Sequence, residues 1–261
     1  MKLLVILICF FATQIALAFD FSKDKDKIYK IGVEDHYYPF SFLEKGKREG
    51  FDIDFAKILC NNLEIKCEIV PMQFPKLFEA IKKDEIDIIV AGVGKTEERA
   101  KFLAFSNTYY RSKTIAINSN DEIKTTDPQI LQLQNNNYTI CSQKHTLQDD
   151  LIKRIYGPYQ NISIQSYQNY KEVFAALQNK KCDTAFMDGL SSYEYLKKLD
   201  SKDLLLLKID PSFNVKTEEA KIVLSIKNAH NIDEINAVIN KLQLNGVYQK
   251  LSSKYFPFSI Y

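Results

Sequence analysis

Apolar and polar positions along the chain fall into two blocks, each with short apolar runs alternating with helix-spaced segments. In the first block, residues 30–33 read as a short strand. Residues 54–63 put Phe55, Ile58, Leu59 and Leu63 at helical spacing, and residues 68–70 read as a strand. Residues 75–83 predict a helix with Pro75 near its start and Leu77, Phe78 and Ile81 inward. Residues 86–93 are apolar except for Asp87 and Gly92, as in a buried parallel strand. The rhythm restarts later, with strands at 138–141, 162–164 and 183–187 and helices at 147–155, 171–177 and 191–199. Between the blocks lie residues 115–123 and the polar stretch 124–127. The last segment, a strand-like 221–226 and helices at 232–242 and 247–255, has no third unit of its own and is expected to return to the first. Strand–helix alternation of this kind predicts an α/β protein. Two units crossed by two chain passes predict a hinge that closes them around a ligand.

The start of the chain predicts export. Lys2 is followed by an apolar run over residues 3–18 ending in Ala16-Leu17-Ala18, the pattern of a signal peptide cut after Ala18. The run is short for a membrane span, and a polar, charged flank follows it. Ile8 before Cys9 disfavours a lipidated cysteine. The 35 basic and 33 acidic residues nearly balance and are interspersed, which offers no electrostatic basis for nucleic-acid or membrane binding. In an oxidising compartment Cys60 and Cys67, with a helix end and a turn between them, are expected to form a disulfide. For Cys141 and Cys182 pairing and burial as free thiols both stay open.

Three constellations could carry chemistry. In Gly92-Val93-Gly94-Lys95-Thr96-Glu97-Glu98-Arg99 a strand ends in glycines and a helix begins at Thr96, a good N-cap. Backbone amides there, with the planar fork of Arg99, suit an anion; an ordinary capped helix with a surface Arg is the alternative. In Lys144-His145-Thr146-Leu147-Gln148-Asp149, Thr146 and Asp149 resemble a capping box at a second helix start. Asp188 closes an apolar strand, where open α/β sheets present ligand groups; it could bind an ammonium or simply cap the next helix. The histidines His36, His145 and His230 lack metal-ligand spacing, and no nucleophile elbow, phosphate loop or dinucleotide fingerprint occurs. No catalytic residue, metal or cofactor is expected.

Taken in order, several motifs resemble the family 3 periplasmic solute-binding proteins, the amino-acid receptors of ABC transporters. They are residues 32–40, ending Tyr37-Tyr38-Pro39-Phe40; Gly50-Phe51-Asp52; Ala91-Gly92 with Thr96 through Lys101; Phe105-Ser106 with Tyr109-Tyr110; residues 183–188; and Asn245-Gly246-Val247-Tyr248. The resemblance implies the type II periplasmic-binding fold, two α/β lobes joined by a two-strand hinge, with lobe 1 from 19–113 and 214–261 and lobe 2 from 114–213. It implies that Arg99 binds a ligand α-carboxylate with amides near Gly94 and Thr146. Asp188 and the Gly92 carbonyl would bind the α-ammonium, Tyr37 and Phe74 would sandwich the side chain, and Glu34 would face a cationic head. It also makes Cys60–Cys67 resemble the disulfide of the histidine and arginine receptors. Gln143 could orient a polar head, and Gly94 and His145 depart from the family's usual residues.

The expectation is therefore a monomeric periplasmic receptor that passes a polar or basic L-amino acid, arginine favoured, to an inner-membrane ABC permease. Glutamine receptors also carry an acid near Glu34, so glutamine stays open. The rivals are a dehydratase-like enzyme, with Glu34 or His145 as its acid–base group, and a sensor domain.

Overall fold

The computed structural model describes residues 20–120, 122–134, 137–198, 204–213 and 217–261. The leader expected over 1–18, the lobe limit at 214 and the end of the helix expected to 199 lie outside them. In chain order the first part contains β1 (Ile28–Glu34), β2 (Phe42–Glu44), β3 (Lys47–Glu49), α1 (Phe51–Leu63), β4 (Lys66–Met72), α2 (Phe74–Lys82), β5 (Ile88–Val93), α3 (Glu97–Ala100) and β6 (Leu103–Ser112). Then follow β7 (Thr114–Asn118), α4 (Pro128–Leu133), β8 (Tyr138–Gln143), α5 (Leu147–Tyr156), β9 (Ile162–Tyr167), α6 (Tyr170–Gln178), β10 (Thr184–Asp188), α7 (Gly189–Lys198) and β11 (Leu205–Leu207). The chain ends with β12 (Glu218–Ser225), α8 (Ile232–Leu244) and α9 (Val247–Ser252).

Two five-stranded sheets result. One has the order β4-β1-β5-β12-β6, the other β11-β7-β10-β8-β9, and β2 and β3 form a small ribbon. In the first sheet β4, β1 and β5 are parallel, whereas β12 runs antiparallel to both β5 and β6. In the second, β10, β8 and β9 are parallel and β7 is antiparallel to β10. The expected parallel strand over 86–93 is thus parallel on one flank only. Its Ile88, Ile89, Val90, Ala91 and Val93 are all buried because helices cover both faces. On one face Phe55, Ala56 and Leu59 of α1 and Ile235 and Ile239 of α8 pack with Ile31, Val90 and Ile222. On the other, Leu77, Ala80 and Ile81 of α2 pack with Ile89, Val93 and Val223. The second sheet repeats the plan: Ile152 and Tyr156 of α5 meet Ile140 and Phe186, and Val173 and Leu177 of α6 meet Cys141 and Ala185.

Disulfides tie each unit. Cys60–Cys67 joins α1 to β4, and Cys141–Cys182 joins β8 to the residues before β10. The second pairing resolves the alternative that the sequence left open. The chain crosses between the sheets at Ser112–Thr114, with Lys113 alone between β6 and β7, and again before Glu218.

Candidate functional site

The parallel strands of both sheets aim their C-terminal ends at one cleft. Glu34 ends β1, Gln143 ends β8 and Asp188 ends β10; Gly92 is the penultimate residue of β5. All four line a cavity of about 460 Å³, its open mouth included, together with Tyr37, Phe74, Gly94, Arg99 and Thr146. Every binding residue nominated from the sequence therefore faces the same space. Open α/β sheets place ligands at such strand ends because loops and helix N-termini converge there.

Each side chain is held by local structure. Thr96 accepts the Arg99 amide at 3.1 Å and so caps α3, which aims the Arg99 side chain inward. The Arg99 guanidinium is buried against Phe78, 4.7 Å from the ring centroid, and donates to the carbonyls of Gly94 (2.7 Å) and His145 (2.6 Å). The second bond spans the two units. Burial pushes this guanidinium down to about 10, so it stays cationic at neutral pH.

Thr146 caps α5 by accepting the Asp149 amide at 3.2 Å, and the Asp149 carboxylate accepts the His145 amide at 3.0 Å. His145 itself has φ +60°, the left-handed region that favours glycine. Its ring is not among the groups lining the cleft. Gly92 also has φ +62°, and a Cβ there would sit 2.1 Å from Tyr110 Oη. The Gly92 amide donates to Tyr109 Oη (3.0 Å), which donates to the buried Asp52 carboxylate (2.8 Å). That chain of bonds explains the buried acid in Gly50-Phe51-Asp52.

Acids outnumber bases. Glu34 is buried and accepts Gln143 Nε2 at 2.6 Å across the cleft. Its carboxyl is pushed up to about 8, chiefly by burial. Gln143 Oε1 is buried with no hydrogen-bond partner. Asp188 is buried and accepts the Ser191 amide at 2.8 Å, so it both caps α7 and faces the cleft; burial raises its carboxyl. Glu218, the first residue of β12, also lines the cleft. Loss of water and the charge of Asp188 push its carboxyl up to about 7. Tyr37 stacks on Phe40 (4.5 Å) and meets Tyr170 (5.7 Å), while Phe74 stands edge-on to Phe78 (5.2 Å). The cleft thus presents one guanidinium, four carboxyl groups (Glu34, Asp188, Glu218 and, at its edge, Glu219, which pairs with Lys221), an unpartnered amide oxygen and aromatic faces.

Tyr110, Ser112, Gln148, Tyr170, Glu218 and Glu219 line the cleft without having been nominated. Tyr110 lay in a quoted motif and Gln148 beside Thr146. Glu218 carried no signal, since its neighbours in sequence say nothing of the hinge it occupies. Among the described residues no cluster of His, Cys, Asp and Glu could hold a metal.

Two five-stranded α/β sheets with the site between them, at their strand ends, define a two-lobe solute-binding protein of the type II periplasmic-binding fold. The chain belongs to the bacterial extracellular solute-binding proteins, family 3, whose family model matches residues 29–258. It is 28% identical over 230 residues to the arginine-binding periplasmic protein of Mannheimia haemolytica, covering 86% of this chain and 90% of that one. It is 28% identical over 243 residues to the histidine-binding periplasmic protein of Salmonella typhimurium, covering 89% and 88%. A crystal structure of the substrate-binding protein of an amino-acid ABC transporter superposes with a TM-score of 0.76 at 30% identity, covering 89% of this chain and all of that one.

Proposed function

We propose that this chain is the periplasmic receptor of an amino-acid ABC transporter and binds a basic L-amino acid, arginine first, between its lobes. The observation that carries this reading is the excess of acid in the cleft: Glu34, Asp188 and Glu218, besides the Lys221-paired Glu219, against Arg99 alone. A zwitterion with a cationic side chain brings one negative and two positive groups, and burying them requires partners of opposite sign. Arg99 keeps guanidinium donors beyond its two carbonyl bonds for an α-carboxylate. Asp188 takes the α-ammonium, and Glu34 with the orphaned Gln143 Oε1 takes the side-chain head. Tyr37 and Phe74 supply apolar and cation–π contact to the ligand stem, about 0.5–2 kcal/mol for the charged end. The relatives named for arginine and histidine support this class of ligand.

The lobes are 19–113 with 214–261 and 114–213, a division supported by sheet membership. The leader is cut after Ala18, the chain works as a monomer, and its protein partner is an inner-membrane permease. It acts as a binding protein rather than an enzyme, a reading supported by the relatives named as arginine- and histidine-binding periplasmic proteins. Glutamine is the second reading. A Glu34 carboxyl that keeps its proton to about pH 8 could donate to an amide oxygen.

Calorimetry with the twenty amino acids, after stripping any bound ligand, tests the proposal. The expected outcome is tightest binding of arginine, with Arg99→Ala and Asp188→Ala abolishing it. Binding of no amino acid sinks the receptor reading, and tightest binding of glutamine replaces the ligand.

A further inference from the structure

The hinge brings Asp188 and Glu218 together through a reciprocal arrangement. Glu218 pairs in register with Ser112, and Asp188 pairs in register with Thr114. The hydroxyls then cross: Thr114 Oγ1 donates to Glu218, and the Ser112 hydroxyl donates to Asp188. A single crossing of the chain, Ser112-Lys113-Thr114, thus holds both acids at the floor of the cleft. Gln148, from the start of α5 in the opposite unit, donates its Nε2 to both Glu218 oxygens (2.8 and 3.0 Å). Tyr170 in turn donates to Gln148 Oε1 at 3.1 Å and fixes the orientation of that amide.

All these donors are neutral, and among the described residues no lysine or arginine forms an ion pair with Glu218 or Asp188. Neighbouring Glu219 and Lys221 pair with each other at 3.2 Å instead. Two adjacent carboxylates in a sheltered site repel, and a cation seated between them relieves both the repulsion and the lost hydration. The charge of Asp188 adds to the burial that pushes Glu218 up, and the Arg99 guanidinium only partly offsets it; on Asp188 the upward push comes from burial.

From this geometry we infer that Glu218 is a second ammonium-binding carboxylate, so that the α-ammonium of the amino acid sits between Asp188 and Glu218. The assignment rests on the receptor reading above and deepens it. Because Gln148 reaches Glu218 from the other unit, seating the ammonium also ties lobe 2 to the hinge strand. The site then selects for a free α-amine: a ligand lacking that group leaves the buried Asp188 and the half-buried Glu218 without a cation between them.

The test is a cycle that crosses protein and ligand. Binding of L-arginine and of its desamino analogue, which lacks only the α-ammonium, is measured by calorimetry or by displacement on wild type and Glu218→Gln. Glu218→Gln is expected to weaken L-arginine by about tenfold to a hundredfold, the worth of one hydrogen bond to a charged group, and the analogue by less than about twofold. Glu218→Asp keeps the charge and recovers part of the arginine affinity; far-ultraviolet dichroism checks that both variants fold. Equal losses for the two ligands mean that Glu218 acts only through the hinge and overturn the assignment, as does unchanged arginine affinity. Wild type that binds no amino acid overturns the receptor reading itself, a result distinct from either.

Discussion

Glu34→Gln removes an ionisable acid from the end of β1 while keeping the side chain's size and an acceptor for Gln143 Nε2. The carboxyl of Glu34 is raised from 4.5 to about 8, mainly by burial. Between those values the folded state holds a proton that the unfolded chain has lost, so the stability of the ligand-free protein falls as pH rises through that window. At pH 7 the interval above 4.5, at about 1.4 kcal/mol per pH unit, amounts to about 3 kcal/mol. The variant cannot ionise and escapes this cost, and its new amide can donate to the orphaned Gln143 Oε1. Ligand-free Glu34→Gln, prepared by unfolding and refolding, should therefore be about 3 kcal/mol more stable than wild type at pH 7 in urea titrations. The gain should shrink to under about 1 kcal/mol at pH 5. The same substitution should weaken arginine binding by about tenfold or more, since a charged acceptor is lost. A stability gap that does not change between pH 5 and pH 8, or a variant less stable than wild type at pH 8, refutes the reasoning about buried charge. Intact arginine affinity refutes the assignment of Glu34 to the ligand's cationic head.

Other outcomes follow from single contacts. Arg99→Lys exchanges a fork for a point charge and should cost amino-acid affinity about a hundredfold, read by calorimetry; a loss below tenfold contradicts the carboxylate role. Gly92→Ala adds a Cβ 2.1 Å from Tyr110 Oη at φ +62°. It should cost about 1–3 kcal/mol of stability and weaken binding, and an unchanged thermal midpoint would count against the strain. Removing the Cys141–Cys182 bridge, with its separation of 41 residues, should cost about 4 kcal/mol against about 2 for the 7-residue Cys60–Cys67 bridge. Paired Cys→Ala variants in urea titrations check the order, and a reversed order means that denatured-state loop entropy does not govern these bridges.

Much of the fold is legible along the chain because each central element carries its own period. β5 is a near-continuous apolar run and α1 a 3.6-residue stripe, each recognisable without its neighbours. The ten-residue β6, the ribbon of β2 and β3, short α4 and three-residue β11 were not anticipated. β6 mixes Asn107, Thr108 and Arg111 with its apolar residues, and β11 is too short to show a period. Their strand character comes from partners: β6 from β12, β11 from β7.

The same division runs through the site. Arg99, Thr146, Gly92 and Asp188 stand at strand ends and helix starts, where caps and glycines mark them in a single stretch of sequence, and ordered motifs add Glu34, Tyr37 and Phe74. Sequence alone thus determined the α/β class and the family resemblance, and it picked out residues that line one cleft. Tertiary structure alone decided what these residues touch. It set the Arg99 fork on two carbonyls, left Gln143 Oε1 without a partner and paired Cys141 with Cys182. It also brought Glu218 beside Asp188, because β12 enters the first sheet between β5 and β6 and its first residue pairs with Ser112, where the chain crosses to β7 and β10. Local pattern reports what one segment can bury; it carries no information about which distant segment supplies the opposing charge.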